Sequence, residues 1–122
     1  NIPRLGIFNK HSSILPNYAG VFPVFWQMLN GEKEMGITVH QMNEKIDEGS
    51  ILHCKKYSMD LNRSFDRNYE VIINNTSEVL IEAFDRLSSG NYLLTSNEEG
   101  SYYGFPKKSD IQAFRKKGLK II

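Results

Sequence analysis

The chain has 122 residues, enough for one small domain with a modest core. Fifteen Lys and Arg against fourteen Asp and Glu leave a formal charge of +1, so no global pull toward nucleic acid or anionic membrane is expected. The single cysteine, Cys54, excludes an internal disulfide, no apolar run approaches the ~20 residues that span a bilayer, and no secretory signal opens the sequence, so the expected compartment is the cytoplasm.

The first element is a short apolar run, residues 5–8, which reads as a buried strand. It delivers Asn9 and His11 together, and the two-residue period of a strand puts both side chains on one face. An amide donor beside a titratable ring suits a developing oxyanion and a proton transfer. Residues 12–22 follow as a loop rich in Ser, Pro, Asn and Gly. Residues 23–30 read as a short helix with Pro23 at its first position and Gly31 as its stop. Trp26 and Met28 in it are expected to pack in the core rather than stack on a ligand.

Residues 35–42 alternate Ile37, Val39 and Gln41 against Thr38, His40 and Met42, the pattern of a strand with one apolar face. Residues 51–59 read as the next strand, with Leu52, Cys54 and Tyr57 inward. The connection, residues 43–50, carries Asp47 between two strands, where functional groups often sit. Residues 64–89 hold apolar positions at three- and four-residue spacing, a long scaffold helix ended by Gly90. A polar connection leads to the aromatic turn 102–106. Ser109 and Gln112 have capping-box spacing for a short helix closed by Gly118, and residues 119–122 form a final strand or tail.

Taken together, Asn9-x-His11-x-Ser13-x-Leu15-Pro16-x-Tyr18-x-Gly20, then Pro23, Trp26, Gly31-Glu32, Gly36-Ile37-Thr38, Met42 and Asp47-x-Gly49-x-Ile51 resemble the formyltetrahydrofolate-dependent formyltransferases. That family includes methionyl-tRNA, glycinamide ribonucleotide and sugar N-formyltransferases. The match is dense over the first half of the chain. Ala19 departs from it, since an Arg is common there.

The resemblance implies an α/β fold: a partial mixed sheet from the C-terminal half of a Rossmann-like catalytic domain, covered by the one long helix. Residues 1–122 would form a single domain lacking the N-terminal half. It implies a cis Leu15-Pro16 bond and catalytic roles for Asn9, His11 and Asp47. It implies 10-formyltetrahydrofolate as co-substrate, with Met42, Asn43, Glu44, Lys45 and Ile46 forming one wall of its site. The implied reaction moves a formyl group to a primary amine.

The plainer reading is a turn-capping Asn9, a core His11 and an ordinary loop acid at Asp47, and the surrounding pattern outweighs it. His40 and His53 invite a metal reading, but no ligand pair has zinc-type spacing. The basic residues Arg115, Lys116 and Lys117 are consecutive and spread around a helix, as on a solvated face. The tail resembles neither the linker of the methionyl-tRNA enzyme nor that of the glycinamide ribonucleotide enzyme, which favours a small-molecule amine, such as a nucleotide-linked amino sugar. The alternatives are a methionyl-tRNA formyltransferase, a formyltetrahydrofolate hydrolase and a non-catalytic interaction fragment. A homodimer is a further expectation, from an uncovered sheet edge.

Overall fold

A computed structural model describes residues 4–43 and 49–122. Among these described residues, five strands and three helices follow in the order β1 (Phe8–His11), β2 (Ala19–Gly20), α1 (Pro23–Leu29), β3 (Glu34–Gln41), β4 (Ile51–Ser58), α2 (Phe65–Ser89), β5 (Tyr102–Tyr103) and α3 (Lys108–Lys116). The α/β class is as expected. β3 is central, with β1 and β4 antiparallel on either side of it. The parallel pairing lies in a separate two-stranded sheet of β2 and β5. Gly20 makes that pairing possible: its φ is +102°, and a Cβ there would collide with the carbonyl oxygen of Tyr103.

Helix α2 runs across one face of the sheet because its apolar residues recur every three or four positions. Ile72, Val79 and Ala83 from α2 meet Met35, Ile37 and Val39 from β3 in one buried cluster. The register of β3 and β4 shifts between Val39 and His40, leaving Leu52 as the extra residue of a bulge, and Leu52 is buried in the same cluster. Beyond the bulge the two remaining expected inward residues part company. Tyr57 lies opposite Met35 on the α2 side, whereas Cys54 lies opposite Thr38 on the other face, because residues three apart on a strand point opposite ways. The other face of β3 is buried too: Thr38 and His40 are both buried, and the loop after β1 lies on Thr38.

Both ends of α2 are closed by sequence-encoded caps. Ser64 Oγ accepts from Arg67 N at 3.2 Å, and Gly90 takes the left-handed conformation at the other end. The tail 119–122 is not a strand. It lies against the start of α2, where the carbonyls of Lys120 and Ile121 accept from Phe65 N at 2.7 Å and Asp66 N at 3.0 Å. These are donors that a helix cannot satisfy itself.

Two other expectations shift. β1 begins at Phe8, and Leu5 and Ile7, read as buried, are each 54 % exposed. No other element lies over them among the described residues; they form the rim of an open groove. Helix α3 starts two residues earlier than the Ser109–Gln112 pattern suggests: Lys107 is the N-cap and its N–H donates to Asp110 Oδ2 at 2.7 Å. A carboxylate near a helix start gains from the dipole, an advantage that Gln112 lacks. Phe114 fixes α3 to the core, fully buried and stacked on Phe25 with ring centroids 4.8 Å apart.

Candidate active site

Asn9 and His11 project from the same face of β1, as the strand period requires. Their cross-strand partners on β3 are His40 and Thr38, which share that face. Asn9 is exposed and His11 is buried. The His11 ring is held by its Nε2–H, which donates to the carbonyl oxygen of Tyr18 at 2.7 Å. A carbonyl can only accept, so this contact fixes the proton on Nε2.

The loop that supplies this carbonyl is strapped to the sheet at several points. Thr38 Oγ1 donates to the Ser13 carbonyl at 2.6 Å and accepts from Leu15 N at 3.2 Å. Gln27 Nε2 donates to the Ser12 carbonyl at 3.2 Å. Leu15-Pro16 is cis, as the resemblance implies. Gly36 lets the loop lie flat on β3, since a Cβ there would stand 2.6 Å from Ile14 Cγ1. Tyr18 N in turn donates to Ser101 Oγ at 2.9 Å, and its ring stacks on Tyr103 at 5.3 Å. Burial raises the Tyr18 phenol to about 12, with the neighbouring Glu32 acting the same way and the Asn30 amide opposing. The phenol is therefore a neutral donor to Glu32 Oε1 at 2.9 Å. Trp26 is packed, not free for a ligand: it stacks on Tyr103 at 4.8 Å, and Nε1 donates to the Gly104 carbonyl.

The third expected catalytic residue, Asp47, lies outside the described residues, as do Glu44, Lys45 and Ile46 of the expected folate wall. Met42 and Asn43 are described, and both are exposed. The base of their loop is closed where Gln41 N donates to the Ser50 carbonyl at 2.9 Å. Gly49 lies against the Gln41 carbonyl so closely that a Cβ would not fit, and Asn97 Nδ2 donates to its carbonyl at 2.9 Å. The loop thus springs from the strand ends next to His40, the residue opposite Asn9. Among the described residues no group of three His, Cys, Asp or Glu side chains could hold a metal. His53 is engaged elsewhere, with Glu82 on α2 at 2.7 Å.

Two contributors escape a reading of the sequence alone. The Tyr18 carbonyl that orients His11 is backbone, which no residue letter announces. Thr38 belongs to the Gly36-Ile37-Thr38 stretch of the resemblance, but that it ties the loop down shows only in the register that sets it opposite His11.

The described residues thus bring an amide and an oriented imidazole together on one strand face, beside the base of a loop from the neighbouring strand. The model of the formyl transferase family matches residues 1–84, and the chain belongs to that family. It is 34 % identical over 113 residues to the methionyl-tRNA formyltransferase of Thermotoga maritima, covering 91 % of this chain and 36 % of that protein. It is 52 % identical over 60 residues to the bifunctional polymyxin resistance protein ArnA of Wigglesworthia glossinidia brevipalpis, 49 % of this chain and 9 % of that one. Among solved structures, the sugar 3N-formyltransferase WlaRD, determined with dTDP and 5-N-formyltetrahydrofolate, superposes with a TM-score of 0.73 at 28 % identity. That match covers 95 % of this chain and 50 % of WlaRD. The N-formyltransferase of Helicobacter canadensis, solved with folinic acid and dTDP-3-aminofucose, gives 0.72 at 26 % identity over 85 % of this chain and 38 % of its own. The chain therefore spans between 9 % and 50 % of the length of these relatives.

Proposed function

We propose that this chain carries the acid–base part of a site that moves a formyl group from 10-formyltetrahydrofolate to a primary amine on a nucleotide-linked amino sugar. The observation that supports it most is the shared strand face of Asn9 and His11, with the ring clamped by Tyr18. In this reading the amine nitrogen bonds to the formyl carbon, and the carbonyl oxygen becomes an oxyanion facing the Asn9 amide. His11 stabilises that charge or relays a proton. Asp47 accepts the proton that the amine loses. The bond from carbon to the folate nitrogen then breaks and that nitrogen is protonated, so charge and protons balance. Met42, Asn43, Glu44, Lys45 and Ile46 provide one folate wall. The nucleotide-sugar acceptor draws on the ligands of WlaRD and the Helicobacter canadensis enzyme.

A second acceptor, initiator methionyl-tRNA, is favoured by the 34 % identity to the Thermotoga maritima enzyme. The test supplies the 122-residue chain with the part of WlaRD that the match leaves uncovered, then 10-formyltetrahydrofolate with a dTDP-linked amino sugar, methionyl-tRNA or water as acceptor. N-formyl sugar, detected by mass spectrometry and lost in Asn9→Ala and His11→Ala, is the expected result. Formylated tRNA alone supports the second acceptor, and free formate alone overturns both.

A further inference from the structure

The polar connection after α2 reaches both loops of the candidate site. Near its middle, Thr95 and Ile51 exchange two backbone hydrogen bonds of 2.9 Å at the first residue of β4. Two residues on, the Asn97 amide donates to the Gly49 carbonyl at 2.9 Å. Both contacts grip the far root of the loop that begins with Met42 and Asn43. Further along, the Ser101 hydroxyl accepts from Tyr18 N and the Ser101 carbonyl from Ala19 N, each at 2.9 Å. Gly100 lies so close to Pro16 that a Cβ would collide with the Pro16 carbonyl oxygen. The covalent path from Asn97 to Ser101 can span roughly 14 Å at most, so the two grips cannot move far apart.

Asn97 is 3 % exposed, although Ser96 and Glu98 on either side of it are exposed. A connection that only joined α2 to β5 would turn its polar side chains to water, because a buried amide costs stability unless it is bonded. Glu99 takes the left-handed conformation, with φ +61°. That conformation is disfavoured for a residue with a side chain and persists only where surrounding contacts hold it.

The Ser101 grip acts on the peptide group that orients His11. The Tyr18 carbonyl and the Ala19 N–H belong to one planar unit and point opposite ways. The oxygen of that unit accepts from His11 Nε2 at 2.7 Å, and its N–H is pinned by the Ser101 carbonyl. Tyr18 is itself left-handed, with φ +60°, so the loop needs this outside hold to keep the carbonyl turned inward.

We propose that residues 95–101 are a tie that sets the loop carrying Asp47 and the His11 ring in one register, with Asn97 and Ser101 as its positioning residues. The role in turnover rests on the catalytic reading of His11 and Asp47. The tie itself does not depend on that reading or on which amine is formylated. Holding two proton-handling groups in register matters because a misplacement of about 1 Å can cost ~10² in rate.

Hydrogen exchange on the 122-residue chain reads the tie from both ends. Ala19 N reports the His11 end and Ile51 N the loop end, with Val79 N inside α2 as the reference. Asn97→Ala, which removes the grip on Gly49, should speed exchange at Ala19 about tenfold or more and leave Val79 unchanged. Ser101→Ala should do the same at Ile51, and Ser101→Thr, which keeps the hydroxyl, should restore it. Nitrogen-15 spectra should show one Nε2–H form of His11 in the unaltered chain and mixed tautomers in Asn97→Ala. In the chain complemented with the rest of WlaRD, Asn97→Ala should lower kcat about tenfold or more while KM for the amino sugar moves less than about twofold. Exchange quickened only at the altered end, or an unchanged His11 spectrum, overturns the tie. An unchanged kcat overturns its positioning role. If Asn97→Ala loses native far-UV circular dichroism, the two Ser101 variants decide by the same criteria. Coupled exchange with no formyl transfer by the unaltered complemented enzyme keeps the tie and overturns the catalytic reading alone.

Discussion

At the scale of single residues, the two strand-face groups have different expected signatures. Asn9 is exposed and lies opposite His40 at the site, so Asn9→Ala should leave stability within ~0.5 kcal/mol and lower formyl transfer by ~10²–10³ in the complemented enzyme. His11→Ala should cost ~10²–10⁴ in rate. It also strips the Tyr18 carbonyl of its donor, so a loss of ~1 kcal/mol in urea unfolding should accompany it. Thr38→Val tests the strap itself. Thr38 is fully buried, and the exchange removes one donor and one acceptor, leaving the Ser13 carbonyl and Leu15 N without that partner. The expected cost is ~1–3 kcal/mol by chemical denaturation, with turnover falling more than nucleotide-sugar binding because His11 loses its clamp. Asn9 and His11 are legible in the sequence because a strand's period is fixed by backbone geometry. The clamp is not, because it depends on which carbonyl the loop turns inward.

At the scale of elements, α2 is legible almost to the residue. Its spacing, Ser64 and Gly90 all speak for the same boundaries. Helix α3 shows the limit of motif matching, since Ser109 and Gln112 have the right spacing but Asp110 supplies the better N-terminal acceptor. Residues 5 and 7 show another limit: hydrophobicity says that a side chain gains by being covered, not that a cover is present. The α2–β4 seam carries a pH prediction. Lys55 first, and then His53, hold the Glu82 carboxyl below the usual carboxylate range. With the folded pKa below the unfolded one, the stabilisation is present above the unfolded value of ~4.3 and is lost as pH falls through the folded value. On the other partner, Glu82 and then Glu78 raise Lys55, so its share is present below ~10.4 and fades as pH rises through the higher folded value. Glu82→Gln should therefore flatten the acid limb of a plot of Tm against pH between about 2 and 5. An unchanged acid limb would remove the seam from the stability account.

At the scale of the whole molecule, the expected outcome for the 122-residue chain by itself is little formyl transfer. A catalytic site needs its substrates held in attacking geometry as well as its proton-handling groups, and the proposed reading gives this chain only one wall of the folate site. A single-turnover assay with 10-formyltetrahydrofolate and excess amino sugar checks this. Turnover in the ordinary enzyme range of about 1–10³ s⁻¹ would show that the chain completes its pocket unaided.

The tail's contact with α2 reaches beyond the finished fold into its making. Synthesis is vectorial, and the start of α2 is translated long before Lys120 and Ile121 exist. Until those two carbonyls arrive, the amides of Phe65 and Asp66 must be served by water, and the first turn of the longest helix stays frayed. The later elements bind in the same late window, with Phe114 closing over Phe25. Ribosome-stalled chains ending before residue 119 should accordingly leave the N-terminal turn of α2 open to protease while its middle is already protected. Lys120 and Ile121 thus act as the latch on a helix laid down much earlier.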